Sequence, residues 1–307
     1  MMNHPALAGL PLVLGGNVFG WTADKNTSFA VLDAFYEAGG RMIDTADVYS
    51  AWADGHKGGE SELVLGEWLE SRGVRKDMRI HTKTGMLGDK ELYEPARVLQ
   101  SLDASLERLR TDYVDLYYAH RDYEELTPDA IVSAFDGAAK SKKVTSLGAS
   151  NFSAERLKAM LDTATELGAA PFSVLQNEYN LVSRDGFGPD LQDLCKTHSI
   201  PMLPYFGLAA GFLTGKYRKP EDFEEGARGS GVKKFQEKGA NVLKAMDAIA
   251  DETGASHAAI ALAWLREQPA IGAPIASARK PEQLTDLIAS TKLDLNDAQI
   301  GRLSDAL

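Results

Sequence analysis

Five side chains able to do chemistry fall at intervals along this chain. The stretch IDTADVYS, residues 43–50, brings Asp44, Asp47 and Tyr49 within six positions. Lys83 sits inside the apolar-leaning run IHTKTG, where a charge is costly unless it is paired. His120 closes the run YVDLYYAH. A buried lysine beside a tyrosine favours the phenolate, which predicts a phenol pKa brought down from about 10 toward working pH. Asp44 would keep that lysine charged and oriented. A tyrosine tuned in this way can give or take a proton at a carbonyl or alcohol oxygen. His120 can hydrogen-bond the same oxygen and stabilise its developing charge. Such a set polarises a carbonyl but holds no hydride donor, so reduction needs a cofactor. A Schiff-base aldolase with Lys83 as nucleophile is the rival chemistry, and it leaves Tyr49 without a purpose.

These residues must be positioned by the elements around them. Apolar, β-rich runs occur at residues 10–16, 41–46, 78–84, 113–120, 144–150, 173–179, 200–207 and 270–277. Between them lie segments in which apolar positions recur every three or four residues, as a helix with one buried face requires. These are 28–39, 61–73, 95–110, 128–141, 154–168, 190–199, 241–254 with its continuation 257–268, and 281–290. Ser153 is placed to cap a helix start, and Pro128 and Pro281 stand where first turns begin. Gly39, Gly73 and Gly168 stand at helix ends. Eight repeats of strand and helix predict parallel strands joined by crossover helices. They predict an α/β fold, a (β/α)8 TIM barrel, rather than an open doubly wound sheet. No Pro/Ser/Gly linker divides the chain, so residues 1–307 are expected to form a single barrel domain. The charged, glycine-containing stretch 216–238 follows the seventh expected strand, where a barrel carries functional loops. Asp44, Lys83, His120, Ser150, Asn151, Gln176, Tyr205, Ser277, Arg279 and Lys280 all fall at or near strand C-terminal ends, and therefore at one mouth.

Composition limits the partners. The 307 residues carry a formal net charge of −11, which argues against nucleic acid or an anionic membrane surface. No apolar run approaches the ~20 residues that span a bilayer. The single cysteine, Cys195, forbids an internal disulfide and suits a reducing compartment. The N-terminal stretch does not read as a signal peptide, so the expected location is cytoplasmic. No pattern of metal ligands is present.

Taken together, GGNVFG, IDTADVYS, GGESELVLGEWL, HTKTG, YYAHRD, GASNF, QNEYN, PYFGLAAGFLTGKY and ARKPEQL resemble the aldo-keto reductase superfamily along nearly the whole chain. The GKY segment and the short C-terminus resemble the bacterial short-tailed branch, which includes general-stress-type reductases and relatives of potassium-channel β subunits. The resemblance implies NADPH-dependent reduction of an aldehyde or ketone. It implies Tyr49 as general acid, Lys83 and Asp44 tuning it, and His120 orienting the carbonyl. It implies NADPH bound without a Rossmann fold, and the chain has no GxGxxG between strand and helix. By the same resemblance Ser150, Asn151 and Gln176 would meet the nicotinamide carboxamide, and Tyr205 would stack on its ring. Gly207, Leu208, Gly211 and Lys216 would line the pyrophosphate channel. Arg279 and Gln283, with Ser277 or Lys280, would hold the 2′-phosphate. Two departures fall here: Phe206 and Gly207 follow Tyr205 in place of serine and proline, and Asp286 and Leu287 replace a Glu-Asn pair near the adenine contact. Trp21, Trp52 and His56 are candidates for the substrate pocket. The branch also admits another reading, a cofactor-binding regulatory or redox-sensor subunit with slow turnover.

Overall fold

The computed structural model describes residues 2–219, 222 and 232–307. Seven short strands form one sheet in the order β6-β5-β4-β3-β2-β1-β7. They are β1 (Val13–Gly15), β2 (Met42–Asp44), β3 (Arg79–Thr84), β4 (Leu116–Ala119), β5 (Leu147–Ser150), β6 (Phe172–Gln176) and β7 (Ile275–Ala276). Every pairing is parallel.

The expected strand at 200–207 contributes isolated bridges instead of a ladder. Met202 bridges in parallel to Leu175 on one side and to Ile271 on the other, and Tyr205 bridges to Glu178. Pro201 and Pro204 have no amide proton to donate, so the ladder is interrupted at both. Their carbonyls still accept: Leu175 N donates to Pro201 O at 3.1 Å and Ile275 N to Pro204 O at 2.9 Å. The segment therefore fills the gap between β6 and β7 and closes the ring, giving the (β/α)8 barrel.

The helices among the described residues are α1 (Lys25–Glu37), α2 (Glu60–Arg72), α3 (Pro95–Leu109), α4 (Pro128–Lys140), α5 (Ala154–Leu167), α6 (Pro189–Thr197), α7 (Ala240–Thr253), α8 (His257–Arg266), α9 (Leu284–Ala289) and α10 (Asp297–Ser304). Their ends follow the expected signals. Ser153 accepts from Arg156 N, Thr127 accepts from Ala130 N ahead of Pro128, and Gly73 and Gly168 end helices in the left-handed conformation. Gly39 lies two residues beyond the end of α1, which Ala38 caps. The segment at Pro281 opens as a 3-10 turn over Pro281–Gln283 before the short α9. Helix α10 was not anticipated, although Asn296 and Gln299 form a capping box at its start. Within 216–238, residues 220, 221 and 223–231 lie outside the described residues. No helix among the described residues is long and apolar enough to cross a membrane.

Strand alternation decides what faces the barrel axis. Val13, Met42, Leu116, Tyr118, Val174, Leu203, Ala273 and Ile275 pack as one interior cluster, joined by Ala6 and Leu7 from the N-terminal segment. Gly148 belongs to this layer because a Cβ there would lie 2.4 Å from the Tyr118 ring. Two residues further along the same faces stand Asp44, His120, Ser150, Gln176, Tyr205 and Ser277. Lys83 stands two residues beyond the inward-facing His81. A period of two thus stacks a polar layer on an apolar one at the C-terminal end of the barrel.

Candidate active site

The polar layer is organised around Lys83, whose side chain is fully buried. Its ammonium donates to Asp44 Oδ2 at 2.6 Å, to the Thr45 carbonyl at 2.7 Å and to the Tyr49 hydroxyl at 3.0 Å. These three acceptors use all three ammonium protons. Asp44 is equally well held, because its Oδ1 accepts from Gln176 Nε2 at 2.9 Å. Burial pulls the Lys83 pKa down, but the Asp44 carboxylate and the Tyr49 phenol outweigh it and leave the value raised. Lys83 is therefore a fixed cation, not the depressed amine that Schiff-base chemistry needs.

Tyr49 differs from expectation. Burial drives its pKa up, Lys83 pulls it down, Asp44 adds to the rise, and the net direction is above the ordinary 10. The lysine does favour the phenolate, as charge alone predicts, but desolvation of the phenol is the larger effect. Tyr49 is thus a neutral phenol at working pH, suited to giving a proton.

His120 stands beside it, with ring centroids 6.1 Å apart. Burial first, then the Lys83 cation, hold the imidazole pKa well below 6.5, so the ring is neutral. Its Nδ1 is buried and has no hydrogen-bond partner among the described residues. A neutral imidazole beside a neutral phenol offers two hydrogen bonds to one incoming oxygen without adding net charge.

An aromatic wall continues outward from the phenol. Trp52 packs edge-on to Tyr49 at 5.8 Å, and Trp21 packs edge-on to Trp52 at 5.5 Å. Both indoles are partly exposed, at 50% for Trp52 and 36% for Trp21, so they line an open mouth. In the same loop, His56 Nδ1 pairs with Ser50 Oγ at 2.8 Å.

The other side of the mouth carries the residues expected at the cofactor. Asn151, at φ 65°, is a hub. Its amide group donates to the His120 carbonyl at 3.0 Å and to Ser150 Oγ at 3.1 Å, and its Oδ1 accepts from the Tyr205 hydroxyl at 2.7 Å. The Asn177 carboxamide steadies it by accepting from Asn151 N at 2.7 Å. Gln176 gives its amide to Asp44, so its part is in orienting the acid. Nothing in the QNEYN motif announces that contact, which spans 132 positions.

Beyond Tyr205 the backbone enters the left-handed region at Phe206, Ala209, Ala210 and Gly211, with φ of 54°, 48°, 55° and 101°. Residues with a Cβ adopt this conformation at a cost of roughly 1 kcal/mol or more. Backbone turned this way can gather amides into a concavity that accepts phosphate oxygens. Gly207 packs close under α8, since a Cβ there would lie 3.0 Å from Leu265 and 3.1 Å from Leu262. Leu208 packs against the core beside it. Lys216 is exposed near the end of this run.

After β7, Ser277 Oγ donates to Asn17 at 2.7 Å. Gln283 Oε1 accepts from Arg279 N at 2.7 Å and closes the turn that presents Arg279 and Lys280. Arg279 and Arg121 are the described arginines with neither a hydrogen bond nor an ion pair through the guanidinium; Arg121 instead lies over the Tyr123 ring at 5.2 Å. Two exposed cations without carboxylates, in a chain of charge −11, fit a phosphate group. No group of three or more potential metal ligands occurs among the described residues.

The model of the family described as Aldo/keto reductase family matches residues 11–307. The chain belongs to the aldo/keto reductase family. It is 32% identical to a norsolorinic acid reductase of Emericella nidulans, over 98% of this chain and 80% of that protein. It is 30% identical to norsolorinic acid reductase B of Aspergillus parasiticus, over 96% and 80% of the two chains. It is 29% identical to the aryl-alcohol dehydrogenase (NADP+) of Phanerodontia chrysosporium, over 93% and 77%. Family and relatives make the protein an oxidoreductase of the carbonyl-reducing kind acting on a small molecule.

Proposed function

We propose that the protein is a single barrel domain that reduces an aryl aldehyde or aryl ketone to the alcohol with NADPH. The observation that carries this is the Lys83 ammonium, bonded at once to Asp44 and Tyr49 inside a closed barrel. When bound, NADPH supplies the hydride that the side chains lack. Tyr49 gives its proton to the substrate oxygen, and Lys83 stabilises the phenolate left behind. Asp44 keeps Lys83 in place, and Gln176 keeps Asp44 in place. His120, held neutral, donates a hydrogen bond to the same oxygen and fixes its distance from Tyr49.

The aryl preference rests on two supports. The Trp21–Trp52–Tyr49 edge contacts give a flat ring something to pack on. The relatives' own names include aryl-alcohol and norsolorinic acid substrates. NADPH, rather than NADH, is supported by Arg279 and Lys280. The short-tailed branch is our reading of the GKY segment at 215–217; the relatives reported above are fungal. The one cysteine, Cys195, is buried and free, which fits the cytoplasm.

The test is NADPH consumption over a panel of aromatic and aliphatic aldehydes, with Tyr49→Phe as control. The variant should lose about 10²- to 10⁴-fold in turnover while binding NADPH as before. Turnover that survives the substitution would put the acid elsewhere. Tight NADPH binding with no turnover of any aldehyde would favour a sensor instead.

A further inference from the structure

Helix α2 opens on Glu60, an acid that the reaction above leaves unused. Its carboxylate gathers three backbone amides from the loop that runs from Tyr49 to the helix. Oε1 accepts from Lys57 N at 2.8 Å, and Oε2 accepts from Ser50 N at 3.2 Å and from Gly58 N at 3.1 Å. His56 Nδ1 lies 3.9 Å from the same Oε2. Burial raises the Glu60 pKa, but the amides of Lys57, Glu60 itself and Ser50, with His56, outweigh it and hold the value below the ordinary 4.5. The group is a carboxylate at working pH, and its amide bonds are charge-assisted.

These bonds join Ser50 to Lys57 and Gly58 through one carboxylate and close the loop between them. Ser50 follows Tyr49 directly, and the peptide joining the two is gripped on both sides. Gly59 N donates to the Tyr49 carbonyl at 3.0 Å, while Ser50 N donates to Glu60. Within the loop, Ala51 N donates to the Val48 carbonyl at 2.7 Å and Ala53 N to the Ser50 carbonyl at 3.0 Å, so Trp52 rides on turns that Ser50 anchors. The first loop meets the same acid. Gly20, at φ 73°, passes so close that a Cβ there would lie 3.3 Å from Glu60 Cβ. Gly20 precedes Trp21, the other indole of the aromatic wall. Both tryptophan-bearing loops therefore seat on Glu60, whereas the Tyr49 phenol has its own anchor in Lys83.

We propose that Glu60 is a positioning residue for substrate selectivity: its carboxylate fixes the loop so that Trp52 stands edge-on to Tyr49 and a flat aromatic carbonyl compound can pack against it. This rests on the reading of the protein as an aryl carbonyl reductase. An indole fixed in advance need not be ordered when the substrate binds. Its release weakens aromatic binding and leaves the phenol on Lys83, so the loss falls on KM and not on kcat.

The experiment is steady-state NADPH oxidation by benzaldehyde and by butanal, with the full chain, in wild type, Glu60→Ala, Trp52→Ala and the double variant. Glu60→Ala should lower the preference for benzaldehyde, as a ratio of kcat/KM values, about tenfold, through the benzaldehyde KM. Its kcat for either aldehyde should stay within about twofold of wild type. In the Trp52→Ala background the same substitution should change the ratio no further, because the acid acts through the indole. Equal losses on the two aldehydes, an unmoved ratio, or a full loss on top of Trp52→Ala overturns the proposal. If Glu60→Ala does not fold, Glu60→Gln decides. Its one oxygen can keep only part of the three amides, so the ratio should fall about threefold, and an unmoved ratio refutes the assignment. A wild type that reduces neither aldehyde overturns the reductase reading and this role with it. A wild type that reduces both, with the ratio unmoved in Glu60→Ala, overturns this role alone.

Discussion

Tyr49 meets opposing influences from its surroundings, and their balance sets the direction in which it works best. Lys83 at 3.0 Å favours the phenolate, but burial favours the phenol and prevails. Reduction needs a proton donor, so the raised pKa suits it. Alcohol oxidation needs a proton acceptor at the same oxygen, so the raised pKa works against it. The two directions should therefore differ in pH dependence. The single-turnover reduction rate should stay level from about pH 6 to 9. His120, held far below 6.5, should contribute no step in that range. Alcohol oxidation should instead climb with pH across the same interval. A reduction rate that fell around pH 8 would mean that the lysine outweighs burial after all.

At the scale of elements, the strand runs, the helix caps and the alternation that turns Asp44, Lys83 and His120 inward are all local patterns, and the sequence carries them. What it carries less well depends on burial or on distance along the chain. The sign of the Tyr49 shift follows from how much water the assembled barrel removes. The Gln176–Asp44 bond joins strands far apart in sequence. The positive φ at Ala209 and Ala210 has no signature, since alanine rarely adopts it. Two misses were readable: Pro201 and Pro204 announce a broken ladder, and Asn296 with Gln299 announces α10. The turn after β7 yields a prediction of its own. Arg279 stands there without a carboxylate, its backbone fixed by Gln283 at 2.7 Å. Arg279→Ala should weaken NADPH binding about tenfold or more, the worth of a charge-assisted hydrogen bond, and leave NADH binding nearly unchanged. Tryptophan-fluorescence titration with both nucleotides checks it, and equal losses would move the phosphate site elsewhere.

At the scale of the whole molecule, the barrel has a weak seam. β3 pairs over four residues with β4, whereas residues 201–205 hold their neighbours by isolated bridges. Local opening begins where cooperative hydrogen bonding is thinnest. The amides of Met202, Leu203 and Tyr205 should therefore exchange with solvent well before those of His81 to Thr84, although Met202 and Leu203 are as fully buried as the β3 residues. The same seam leads directly into Tyr205, Gly207, Leu208, Gly211 and Lys216, the proposed channel for the cofactor. A ligand that binds only the closed ring stabilises it by mass action, adding about 2.7 kcal/mol at a hundredfold excess over its dissociation constant. NADPH should therefore slow exchange at 202–213 more than at β3 and β4. Hydrogen exchange read by mass spectrometry, with and without NADPH, measures both effects. Protection spread evenly over the sheet would show that the cofactor does not bridge the seam, and its binding site would have to be sought on another face of the mouth.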